Sequence, residues 1–299
     1  MASPWSWSVA SMTCALGLIA CGRDRRESTH MKAITTAVPA DPFIADNALE
    51  LWRATRSAAV FMGVTESAGD PPGLWSGFER AGQTVVVRVA ESICGPALAS
   101  PVTLDIEILK GTRTAADQPA LVAWIATPKS RVIYVVEEGH IFDEDLGALP
   151  AEPAVVAWLR DACRSDLPPP GIPGVLQVFT DLVAADRELA AVFAHVAPSV
   201  LDVDDATRTI ARLTISQGQL GLYTGVRRDR VVGSRPPDVR MRATATELAG
   251  ALSGELPLEH LIVGGTAPEL VRALSDAAAR IQRAPRSSAR LAAAAGARR

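Results

Sequence analysis

Between residues 58 and 136 the chain repeats short runs of bulky residues, many of them β-branched: AAVFMGV at 58–64, TVVVRVA at 84–90, VTLDIEIL at 102–109, ALVAWI at 120–125 and RVIYVV at 131–136. Gly, Pro, Asp and Ser fill the intervals, so the pattern predicts five strands of a small antiparallel barrel or sandwich. The third run alternates Val102, Leu104, Ile106 and Ile108 with Thr103, Asp105 and Glu107, which gives a strand one buried face and one wet face. Helical spacing flanks this region. Residues 46–57 (DNALELWRATRS) suit a short amphipathic helix, and PAVVAWLRDAC at 153–163 suits another, with Pro153 at its start.

The stretch LPPPGIPG at 167–174 marks a boundary, because consecutive prolines favour extended backbone and donate no amide hydrogen bonds. Beyond it the period lengthens. Val178, Phe179, Leu182, Val183, Leu189, Val192, Phe193 and Val196 share one stripe of a helix over 175–196. A second helix is expected over 204–216 with Asp202 or Asp204 as its N-cap, a hairpin over 220–232, and a third helix over 243–252. Thr266 to Glu269 read as a capping box opening a helix that runs to about Arg283. The expected fold class is α+β: a β-rich domain over 45–165, a proline linker at 166–174, a mainly helical domain over 175–285 and a disordered, basic tail over 286–299.

At the other end, residues 9–20 (VASMTCALGLIA) form an uncharged apolar run, long enough for the core of a signal peptide and too short to span a bilayer. It ends in Leu18, Ile19, Ala20 and Cys21, followed by Gly22. That ending resembles the lipobox of bacterial lipoproteins, a branched aliphatic residue and two smaller ones before the acceptor cysteine. The resemblance implies that residues 1–20 are removed, that Cys21 becomes an acylated first residue, and that residues 21–44 tether the protein to a membrane of the cell envelope. Each buried methylene of such an anchor contributes about 0.8 kcal/mol, and stable anchoring takes more than one chain. Gly22 is not the aspartate that retains lipoproteins of enteric bacteria at the inner membrane, so the resemblance favours the outer membrane. A start of translation at Met31 is the alternative and would give a cytosolic protein.

The succession SAAVFMGVTES, VTLDIEILKGTR and RVIYVVEEG, with Lys110 and Gly111 closing the second segment, is similar to bacterial proteins related to the netrin and metalloproteinase-inhibitor domain. The resemblance implies an OB-like barrel; inhibition of a metalloproteinase does not follow from it.

Composition narrows the function further. Thirty basic and 33 acidic residues give a net charge of −3, without the positive field that nucleic-acid binding needs, so nucleic acid is not an expected partner. With Cys14 in the leader and Cys21 acylated, Cys94 and Cys163 remain, either as a disulfide made in an oxidising compartment or as two separate thiols. Neither lies in a CxxC, and His30, His140, His195 and His260 are dispersed, so no cofactor or metal is expected. The acidic segment from Glu137 to Asp145 reads as a solvated loop in preference to a calcium site. LDVDDATR at 201–208 lacks the glycine of a calcium loop, and the IVGGT turn at 262–266 completes no phosphate-binding motif. No GxSxG or SxxK frame is present. The sequence therefore points to an envelope lipoprotein with a binding or scaffolding role, held to the membrane by its lipid and partnered by another envelope protein. An envelope hydrolase built from scattered residues is the alternative, with Cys94 and His140 or His195 as its candidate groups.

Overall fold

The computed structural model describes residues 31–68, 80–109, 131–137, 140–141, 146–232 and 235–296. The leader, Cys21, the run at 120–125, Lys110, Gly111 and most of the acidic 137–145 segment lie outside them. The expected α+β class holds: among the described residues, two antiparallel-rich sheets stand among nine α-helices.

The first part opens with α1 (Pro42–Asp46) and α2 (Ala48–Ser57). Asp41 caps α1 by accepting the amides of Phe43 and Ile44 at 2.9 and 3.0 Å, and Pro42 takes the first helical position, where no amide is needed. Then come β1 (Ala59–Ala68), β2 (Arg80–Cys94), β3 (Val102–Leu109), β4 (Arg131–Glu137), β5 (His140–Ile141) and β6 (Ala148–Pro150). Their order in the sheet is β1-β2-β3-β5-β4-β6, and β1 also pairs with β4. β4 carries an uninterrupted apolar run because both of its faces are buried. Val132, Tyr134 and Val136 join Phe61, Val85, Val87 and Leu104 in one cluster, while Ile133 and Val135 face the opposite way into the main core. Helix α3 (Pro153–Arg164) follows, with Trp158 and Leu159 fully buried beside α2.

Within 166–174, Leu167, Pro168, Pro169, Ile172 and Gly174 are buried while Asp166 and Pro170 are exposed, and a single buried cluster runs past the segment on both sides. Leu167 is 3% exposed, and a Cβ on Gly174 would meet the carbonyl oxygen of Pro169 at 2.0 Å, so the next helix lies directly on the proline run. That helix is broken in two, α4 (Ile172–Ala185) and α5 (Arg187–Phe193). The break falls at Asp186, whose backbone is extended and whose side chain caps α5 through the amides of Glu188 and Leu189.

The half expected to be mainly helical contains a five-stranded sheet. β7 (Ser199–Asp204), β8 (Thr209–Ser216) and β9 (Gln219–Thr224) form a meander, α6 (Gly225–Val232) crosses back, and β10 (Val239–Arg242) lies parallel to β7. The 3-10 turn Leu258–Leu261 leads into β11 (Ile262–Gly265), giving the order β11-β10-β7-β8-β9. The helix expected over 204–216 is thus a hairpin arm. Asp205 turns the chain by accepting the Thr207 and Arg208 amides at 2.6 and 2.9 Å, and Gln217 and Gly218, at φ 52° and 77°, form the two-residue turn into β9. The expected hairpin over 220–232 is β9 followed by α6.

Helices α7 (Ala245–Leu252), α8 (Pro268–Gln282) and α9 (Pro285–Ala294) complete the fold. A capping box opens α7, where Thr244 and Glu247 bond reciprocally. The box expected at Thr266 does not form; Ala267 is the N-cap of α8, without a side-chain cap. α9 replaces the expected disordered tail because Leu291 and Ala294 are almost fully buried against α4 and α7. One buried cluster extends from Ile44 to Ala294 and carries both halves.

Candidate functional site

Cys94 ends β2 and Cys163 lies near the end of α3; their Cα atoms are 6.0 Å apart and a disulfide joins them. It ties α3 to the first sheet. Arg56 caps the same helix end, donating to the carbonyls of Ala162, Cys163 and Ser165 while stacking 4.7 Å from the Trp52 ring centroid.

The segment preceding α1 is fixed at this end of the molecule. Lys32 donates its amide to Asp166 Oδ2 at 3.0 Å, and its carbonyl accepts the Asp166 amide at 2.7 Å. Asp161 Oδ2 accepts the amides of Thr35 and Thr36, both at 2.6 Å, and the Thr35 hydroxyl at 2.9 Å. Burial pushes the Asp161 carboxyl up, but the Thr36 and Thr35 donors outweigh it and hold the group below the ordinary carboxylate range. Ile34 and Val38 pack on the core. The tether expected to reach residue 44 is therefore docked from Lys32 onward.

A second polar centre joins the halves. Glu50, fully buried on α2, accepts Arg53 Nη1 at 2.8 Å and the Thr224 hydroxyl at 2.9 Å, and its other oxygen lies 3.2 Å from Arg227 Nη1. Arg53 also donates to Gln177 Oε1 at 2.7 Å, and Gln177 donates to Asp181 at 2.7 Å. Burial raises the Asp181 carboxyl against the opposing pull of Gln177, Arg290 and Arg53. Two guanidinium groups and a hydroxyl lie against the Glu50 carboxylate, which is fully buried, and the arrangement fixes α2 against α4, β9 and α6.

The remaining candidates do not converge. Cys94 is held in the disulfide and is no free nucleophile. His195 and His260 are exposed, and His140 begins β5. LDVDDATR spans the end of β7 and its turn, with Asp202 paired to Arg212. Among the described residues, no group of three or more His, Cys, Asp or Glu side chains is placed to hold a metal, and no helix is long and apolar enough to cross a membrane. Sequence reading missed Lys32, Asp161 and Asp166, whose contacts join positions far apart and leave no local pattern. The chain matches no family model, no characterised protein and no solved structure.

Proposed function

We propose that this protein is a cell-envelope lipoprotein, held to a membrane by acyl chains on Cys21, whose folded body binds or scaffolds a protein partner in the envelope. The partition of the four cysteines carries the reading. Cys14 lies in the apolar leader, Cys21 closes the lipobox-like LIAC, and Cys94 and Cys163 are bonded to each other. Disulfides persist in oxidising compartments, where an exported chain resides. The outer membrane is the proposed location, on the ground that Gly22 follows the acceptor cysteine.

An OB-like barrel is the finer reading of the first sheet. It is supported by β1 having β2 on one side and β4 on the other, by β5 lying between β3 and β4, and by the apolar cluster around Phe61 and Tyr134. A cytosolic protein begun at Met31 is a second reading, favoured by the absence of Lys and Arg from residues 1–8 and by Arg23, Arg25 and Arg26 beyond the apolar run, the reverse of a signal peptide's usual asymmetry; the disulfide weighs against it. Metabolic labelling with an alkynyl palmitate analogue separates the two. The wild-type chain takes up label and sediments with envelopes, and Cys21→Ser loses both properties. A Cys21→Ser protein that still labels and sediments would overturn the lipoprotein reading.

A further inference from the structure

Val38 of the docked segment, Leu49 of α2, Pro169 and Pro173 of the proline run and Ile210 of β8 wall a cavity of about 250 Å³. Ala45, Ala48 and Pro170 line it as well, together with two charged residues, Asp46 and Arg228. Asp46 is engaged, because both of its carboxylate oxygens accept from the fork of Arg208. Arg228 is different. Its side chain is only 7% exposed, and a guanidinium carries five N–H groups. Nε and one Nη2 hydrogen go to Asp229 Oδ1 at 2.8 and 2.6 Å, and the Nη1 pair goes to the carbonyls of Thr209 and Ile210 at 2.7 and 3.3 Å. One N–H is left without an acceptor among the described residues.

Asp229, which balances the charge, is itself 65% exposed, and the Asp46 carboxylate in the same wall is held by Arg208. A buried cation with a spare donor, bordering a cavity whose other walls are apolar apart from the Arg208-paired Asp46, is complementary to a molecule that is negative at one end and apolar along its body. We propose that this cavity is a binding site for a small monoanion with an apolar body, a carboxylate on a short aliphatic chain or a single ring. The free N–H of Arg228 takes the carboxylate, and Leu49, Ile210 and the proline rings cover the body. The volume equals roughly eight waters, which admits hexanoate or benzoate and excludes a long acyl chain. The inference is independent of what happens at Cys21.

The test uses the full chain with its disulfide intact and three probes: hexanoate, benzoate and the neutral hexanol. Ligand-observed NMR is expected to give millimolar binding of both acids, about tenfold tighter than hexanol. Arg228→Gln is expected to erase that difference, and Pro170→Trp, which enlarges an exposed side chain of the cavity wall, to block all three probes. The proposal is overturned if neither acid binds at millimolar concentration, if hexanol binds as well as hexanoate, or if folded Pro170→Trp still binds the acids. Should Arg228→Gln not fold, the acid-to-alcohol ratio and Pro170→Trp decide without it.

Discussion

Replacing Arg212 by Met should be among the most damaging single changes in the second sheet. Arg212 and Asp202 sit on adjacent strands, each with a side chain 2% exposed. Arg212 Nε and Nη2 meet the two Asp202 oxygens at 2.7 and 2.9 Å, and Nη1 donates to the carbonyls of Val231 and Arg235 at 3.0 and 2.9 Å. The substitution conserves apolar volume but strands the Asp202 carboxylate, which is 2% exposed, where solvent cannot replace the lost donors. Breaking one side of a buried pair costs about 3–5 kcal/mol, so a loss of about 4 kcal/mol is expected. Urea unfolding followed by far-UV circular dichroism measures it; at a slope of about 3 kcal/mol/M the midpoint falls by more than about 1 M. The double variant Asp202→Leu/Arg212→Met should recover most of the loss, because both charges leave together. A single variant that loses less than about 1 kcal/mol, or a double variant worse than the single, would refute the reasoning.

Three further outcomes follow from the same contacts. The Cys94→Ser/Cys163→Ser variant should lose about 4 kcal/mol, from the chain entropy released by opening a loop with a sequence separation of 69, and a denaturation midpoint no lower than wild type would contradict this. Asp161 holds residues 35 and 36 through a carboxyl whose folded value lies below its unfolded value of about 3.9, so its contribution is fully present above that value and is lost as pH falls through the folded one. Limited proteolysis within residues 31–38 should therefore be constant at neutral pH and rise only below about pH 4, whereas Asp161→Asn should expose the segment already at neutrality. Leu291→Ala should cost about 3 kcal/mol by thermal unfolding, since its side chain is fully buried, against almost nothing for a frayed tail.

Strands of the first sheet were legible because alternation is local: Val102 to Leu109 announces its two faces without reference to any other part of the chain. β7 and β8 were not, since Asp202 and Asp204 look like helix caps until Arg212 is known to lie across the hairpin, and Gln217-Gly218 is a weaker turn signal than Asn-Gly. Asp186 split a continuous apolar stripe into two helices by capping the second, which hydrophobic period alone does not reveal. The proline run read as a spacer because proline removes donors; whether such a segment is wet or buried depends on α4 and α9, which are specified elsewhere. Of the candidate site, counting isolated Cys94 and Cys163, but the docking of Lys32 and Thr35 on α3 and the position of Arg228 beside Leu49 are tertiary facts with no sequence period.

The central claim is that Cys21 carries the membrane anchor and that the mature chain begins there. Mass spectrometry of the N-terminal peptide from protein isolated from its native membranes tests this directly. The account predicts a peptide beginning at Cys21, with diacylglycerol in thioether linkage to its sulfur, alongside a cross-linked peptide pair containing Cys94 and Cys163. An unmodified Cys21 inside a longer peptide, or a native chain beginning at Met31, would contradict it.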